Sequence, residues 1–106
     1  MATVYSNRFI EEKGLSGPAT FVVPAGYIAV IRDLDVYYGN QLFPAYARLI
    51  GAANQKLWSV SNSIGSESYA QWRGRQVFLA GETITVSVDE GGEADVTLSG
   101  YLLIAP

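Results

Sequence analysis

Apolar and polar residues alternate with period 2 along most of the chain, the spacing that puts successive side chains on opposite faces of a strand. The longest such segment covers residues 27–38. Read as one unbroken strand, it places Ile28, Val30, Leu34, Val36 and Tyr38 on an apolar face, with Arg32 the single polar intruder. Tyr27, Ala29, Ile31, Asp33, Asp35 and Tyr37 take the other face, which turns acidic along its length. Residues 83–88 alternate strictly, with Ile84, Val86 and Val88 inward. Residues 94–103 do the same, with Ala94, Val96, Leu98, Gly100 and Leu102 sharing one face.

Shorter runs predict further strands over 20–23, 45–51, 56–61, 66–73 and 76–79. Turn residues separate them: Pro24-Ala25-Gly26, Gly39-Asn40, the 61–65 loop, Gly74, Ala80-Gly81-Glu82 and a polar hairpin loop over 89–93. No segment carries a helical stripe, and residues 8–13 have room for one helical turn at most. Eight or nine short strands with regular turn signals predict a single all-β, antiparallel, jelly-roll-like sandwich. Val22-Val23-Pro24-Ala25-Gly26 and Val77-Phe78-Leu79-Ala80-Gly81 share a pattern, and each precedes an alternating strand. Such a pair fits the two Greek keys of a jelly roll, or two ordinary β-turns.

Three segments also resemble small jelly-roll structural proteins of tailed bacteriophages. Phe21-Val22-Val23-Pro24-Ala25-Gly26 before a long strand is similar to their first turn. Gly74-Arg75-Gln76-Val77-Phe78-Leu79-Ala80-Gly81-Glu82-Thr83 resembles a second shared stretch, and Asp95-Val96-Thr97-Leu98-Ser99-Gly100-Tyr101-Leu102-Leu103 their closing strand. The resemblance implies a structural protein of the virion (capsid-associated or decorating, connector or minor tail) that works as a homo-oligomer, a trimer or larger ring, against other virion proteins. It brings no catalytic motif and no cofactor.

At 106 residues the whole chain, 1–106, is expected to form one domain with a single core. It contains no Cys and no His, which excludes a disulfide framework, a thiol nucleophile, a histidine-ligated metal and a Ser-His-Asp triad. Seven basic residues face ten acidic ones, and the net charge of −3 argues against nucleic acid as a partner. No apolar run is long enough to span a bilayer, so no membrane partner is expected. Residues 1–8 lack the apolar stretch of a secretion signal, so synthesis in a cytoplasm is expected, and the resemblance implies that of a host bacterium. Charged residues make up only 16% of the chain, below the usual share of about 25%, and uncharged surface is suited to contact with another subunit.

Several residues invite chemistry. Asp33 and Asp35 fall on one face of a strand, where paired carboxylates can serve glycoside hydrolysis or calcium, or simply pair with Arg32 or Arg48. Asp89, Glu90, Glu93 and Asp95 crowd a glycine-containing loop that suits calcium or a solvated tip, without the spacing of an EF-hand. Arg73 and Arg75 flank Gly74 and suit a phosphate, or the carboxylates of a neighbouring copy's acidic loop. Arg32 must reach water or a partner. Tyr37, Tyr38 and Trp72 adjoin loops and suit an interface or a sugar, so a glycan-binding, lectin-like module is the second function expected. No nucleophile–base pair appears, and no enzyme is expected. The interface candidates are therefore Arg32, Tyr37, Tyr38, Trp72, Arg73 and Arg75.

Overall fold

A computed structural model describes residues 4–39, 44–62, 67–89 and 91–106. Among these, eight strands form two four-stranded antiparallel sheets: β1 Val4–Leu15, β2 Gly17–Val22, β3 Tyr27–Tyr38, β4 Ala45–Ile50, β5 Lys56–Asn62, β6 Ser68–Phe78, β7 Thr83–Asp89 and β8 Ala94–Ile104. One sheet has the order β1-β8-β3-β6 and the other β2-β7-β4-β5. This is the strand order of a jelly roll, in which the chain passes repeatedly from one sheet to the other. Only β4 and β5 follow one another within a sheet. The 89–93 loop, expected to close a hairpin, instead carries the chain from β7 in one sheet to β8 in the other; Glu90 lies outside the described residues.

The core is the space between the sheets. Ala29, Ile31, Leu34 and Val36 of β3 meet Leu98 and Val96 of β8 and, from the facing sheet, Ala47, Leu49, Ile84 and Val86. All ten are fully buried or nearly so. Alternation supplies most of this contact, because period 2 turns every second side chain inward on both sheets.

The two turns with a shared pattern stack on each other at one end of the sandwich. The Val23 amide donates to the Glu82 carbonyl (3.0 Å) and the Gly81 amide to the Val23 carbonyl (2.9 Å). Gly26 and Gly81 each take φ of +85°, which a side chain resists.

The structure corrects the reading of β3. Its register slips between Ile31 and Asp33 against both neighbours. The slip is a β-bulge, and it reverses which parity of residue faces inward. Ala29 and Ile31 face the core before it, and Leu34, Val36 and Tyr38 after it. Ile28 and Val30, expected inward, take the outer side. Arg32 and Asp33 sit between the two core-facing runs on the outer side, and Arg32 is exposed rather than an intruder in the core.

β1 was not expected, and residues 8–13, read at most as a helical turn, belong to it. It bulges between Arg8 and Ile10 against β8. There Phe9 and Ile10 both turn inward, and Phe9 packs on Phe21 with ring centroids 4.9 Å apart. β6 joins the two short strands expected over 66–73 and 76–79. Gly74 continues the strand because a Cβ there would lie 2.9 Å from the Trp72 ring, so the missing side chain makes room for the indole.

Candidate functional site

The outer face of the β1-β8-β3-β6 sheet gathers most of the side chains singled out in the sequence. Cross-strand register sets them in rows. One row runs Arg73, Asp33, Ser99, Arg8; the next runs Gln71, Asp35, Thr97, Glu11; the third pairs Tyr69 and Tyr37 beside Asp95. On the far side of the bulge the row is Val77, Val30, Tyr101.

In the first row, the Arg73 Nη1 donates to Asp33 Oδ1 at 2.9 Å, and Arg73 Nη2 donates to Gln71 Oε1 at 3.3 Å. Asp33 thus pairs with Arg73, not with Arg32 or Arg48. Arg48 instead lies on the other sheet, 3.5 Å from Asp89 Oδ2 and 4.5 Å above the Tyr46 ring. Arg8 pairs with Glu11 at 3.2 Å. Asp35 makes no ion pair among the described residues, and neither do Arg32 and Arg75. The Arg32 Nε donates to the Gly74 carbonyl at 3.1 Å, which ties the bulge to β6 and leaves the cation exposed.

Tyr37 and Tyr69 form a tilted pair with centroids 6.3 Å apart. Tyr69 is 60% exposed. Burial, then the hydrogen-bonded Glu67 carboxylate, push the Tyr37 phenol above its usual range. On the far side of the bulge, Val77 and Leu79 are each 56% exposed. The face therefore has a polar half with a tyrosine pair at its end and an apolar half, with arginines between them.

Two interface candidates lie elsewhere. Tyr38 is 1% exposed and donates its hydroxyl to the Val60 carbonyl at 3.1 Å; the β3 bulge turns it into the core, so it is not a surface residue. Trp72 sits opposite Leu34, half-buried and packed against the core from the inner side of β6. Neither shares the outer face with Tyr37.

The acidic 89–95 segment does not converge. Asp89 accepts from Ser87 Oγ at 3.0 Å, while Asp95 accepts from the Gly14 amide at 2.8 Å on the other sheet. Among the described residues no three His, Cys, Asp or Glu side chains are grouped to hold a metal ion. A recess of about 520 Å³ lies at one end of the sandwich, beside Asn54, Glu82, Thr83 and Thr85. Its one carboxylate, Glu82, is engaged by the Leu79 amide at 2.7 Å. Ala53 and Asn54 beside it hold positive φ of 58° and 60°. This short left-handed stretch was not visible in the sequence, since neither residue is glycine.

No family model and no curated protein matches this chain. Among solved structures, one from infectious bursal disease virus, Gt strain, aligns over 97% of this chain at 12% identity with a TM-score of 0.27. This chain spans 30% of that one's length. No helix among the described residues is long and apolar enough to cross a membrane.

Proposed function

We propose that this chain is a non-enzymatic structural component of a tailed-bacteriophage particle, acting through self-assembly and contact with other virion proteins. The observation that carries the reading is the outer face of the β1-β8-β3-β6 sheet. Tyr69 and Val77 stand out from it into solvent, and Arg32, Arg75 and Asp35 present charges there with no ion-pair partner among the described residues. Exposed aromatic and aliphatic side chains among unpaired charges are the material of a protein–protein contact. The jelly-roll strand order agrees with the fold that the resemblance of the 21–26, 74–83 and 95–103 segments implies. The functional groups lie on an open sheet face rather than in a water-excluding cleft, which favours shape and contact over catalysis. Symmetry would multiply such contacts, so each can be weak.

The Tyr37–Tyr69 pair beside Gln71 and Asp35 favours a second reading, a glycan-binding module, because an aromatic face with amide and carboxylate neighbours suits a sugar. Among the described residues no unpaired cation lies beside the tyrosines, so a neutral glycan fits better than an acidic one. Light scattering on a sizing column over a dilution series separates the readings. A discrete oligomer that persists on dilution is expected. A monomer at every concentration that binds a neutral glycan array through Tyr69 would replace the structural reading with the second one.

A further inference from the structure

We propose that the outer face of the β1-β8-β3-β6 sheet is a self-complementary, two-fold interface on which a second copy of this chain docks antiparallel. The inference rests on the reading that copies of the chain assemble, and it adds the surface and the symmetry. The face is arranged about the Arg73–Asp33 ion pair. Along β6, Tyr69 lies four residues before Arg73 and Val77 four residues after it. Gln71 and Arg75 lie two before and two after. Along β3, Tyr37 and Asp35 lie on one side of Asp33, and Arg32 and Val30 on the other.

A two-fold axis lying in this face, across the strands and through the Arg73–Asp33 row, lays each strand antiparallel over its own copy. Tyr69 then covers Val77 of the second copy, and Tyr37 lies over β3 at Val30, which its own chain already buries to 4% exposure. Asp35 meets Arg32 of the second copy, and the Gln71 amide meets its Arg75. Every contact occurs twice, as an isologous interface requires. The three charges left unpaired among the described residues lie beside the pivot, where the second copy brings Arg32 against Asp35 and sets the Gln71 amide beside Arg75. The two most exposed apolar side chains of β6 cover each other. At the pivot each Arg73–Asp33 pair faces its copy with Arg73 against Arg73 and Asp33 against Asp33, a repulsive term that the internal ion pair reduces and the flanking contacts must offset.

The area suffices. Four strands about 4.8 Å apart and about 26 Å of β6 between Tyr69 and Val77, with side chains at the margins, give a total burial of roughly 1,200 Å², the lower limit for a stable specific interface. Face-to-face packing of two twisted sheets is itself a standard arrangement, the one that builds the interior of this sandwich. The outer face of the second sheet also exposes one aliphatic side chain, Val22 at 57%, but it sets no unpaired charges of opposite sign on either side of a pivot. Its Arg48 is paired with Asp89, and its neighbours are largely Thr20, Thr85, Ser87 and Ser59.

The test is sedimentation velocity on the full chain over a concentration series, with Arg32→Glu, Asp35→Arg and the double variant carrying both. Both substitutions are on the outer face, and circular dichroism with thermal melting verifies folding of all three variants. The wild type is expected to dimerise, or to form an even-numbered assembly of dimers. Each single reversal sets like charges face to face twice and is expected to weaken association about tenfold or more. The double variant restores opposite charges at both places and is expected to recover most of the affinity. Oligomers unchanged by the single reversals, a double variant as dissociated as the singles, or an odd-numbered ring would overturn this interface while leaving self-assembly standing. A monomer at every concentration would overturn both.

Discussion

Gly100→Ala tests the packing of the two central strands at their tightest point. Gly100 is paired with Ile31 across the β8–β3 ladder and faces the core between Leu98 and Leu102. A Cβ at this position would lie 2.9 Å from Ile31 Cα and 3.0 Å from the Val30 carbonyl carbon, and far inside contact distance of the Val30 oxygen. The atoms it meets are backbone. They belong to β3, which is held by β8 on one side and β6 on the other, so no flexible side-chain tip can yield. β8 must move away from β3, or the bulge at Arg32 must rearrange.

The sign of the effect is diagnostic. At an unstrained position, Gly→Ala stabilises by about 0.4–1 kcal/mol through the unfolded chain. Overpacking a tight interior costs about 1–3 kcal/mol and occasionally more. With backbone on the receiving side, the loss is expected at the upper end, about 3 kcal/mol. For a chain of this size that lowers Tm by roughly 12–20 °C. Equilibrium unfolding in urea is the assay, with an unchanged slope verifying that only stability has moved. Gly26→Ala is the control. Open space surrounds Gly26, but its φ of +85° opposes a side chain, so a loss of about 1 kcal/mol is expected. A neutral or stabilised Gly100→Ala protein, or one less affected than Gly26→Ala, would refute the close approach of β8 to β3.

Leu98→Ala removes a fully buried side chain at the centre of the core and is expected to cost about 2–5 kcal/mol in the same urea titration. Arg73→Ala breaks an ion pair whose arginine is 64% exposed, so stability is expected to fall by less than about 1 kcal/mol and the loss to shrink in high salt. Tyr38→Phe deletes the hydrogen bond to the Val60 carbonyl and is expected to cost about 1 kcal/mol at neutral pH. Burial holds the Tyr38 phenol above its ordinary pKa of about 10, so the folded state keeps the proton more tightly than the unfolded one. The stabilisation is full below that ordinary value and is lost as pH rises through the raised one, which is why Tyr38→Phe should unfold less steeply with pH above about 10.

Strict alternation made β7 and β8 legible, because each keeps one apolar face on the core and a polar residue at most of the positions between. Other elements hid for separate physical reasons. In β1, the bulge sets Phe9 and Ile10 inward in succession, between Arg8 and Glu11 that point out, so no period-2 signal survives. In β6, the Arg73-Gly74-Arg75 sequence has the composition of a turn, yet the glycine serves the Trp72 ring and the strand runs on. Asp33 and Asp35 were rightly placed on one face. The identity of the partner of Asp33 needed the register of β3 against β6, which links residues 40 positions apart. Tyr38 was misplaced by its neighbourhood, since adjoining a loop says nothing about which way a side chain turns.

The β3 bulge explains why the candidate face resisted reading and why it carries charge at all. An unbroken period through residues 27–38 would put Arg32 in line with Val30 and Leu34 on an apolar face, where a lone cation is costly. One extra residue opposite β8 removes that conflict: Ile31 and Leu34 both keep the core, and Arg32 joins Asp33 outside. The same step reverses the outer face. Before the bulge the outward residues are Ile28 and Val30, and after it they are Asp33, Asp35 and Tyr37. The face is therefore apolar at one end and acidic at the other, with arginine between, because the strand changes register at Arg32. Bulges commonly re-aim side chains where a surface has work to do. Here local pattern and global structure disagree at a single residue, and that residue separates the two halves of the proposed interface.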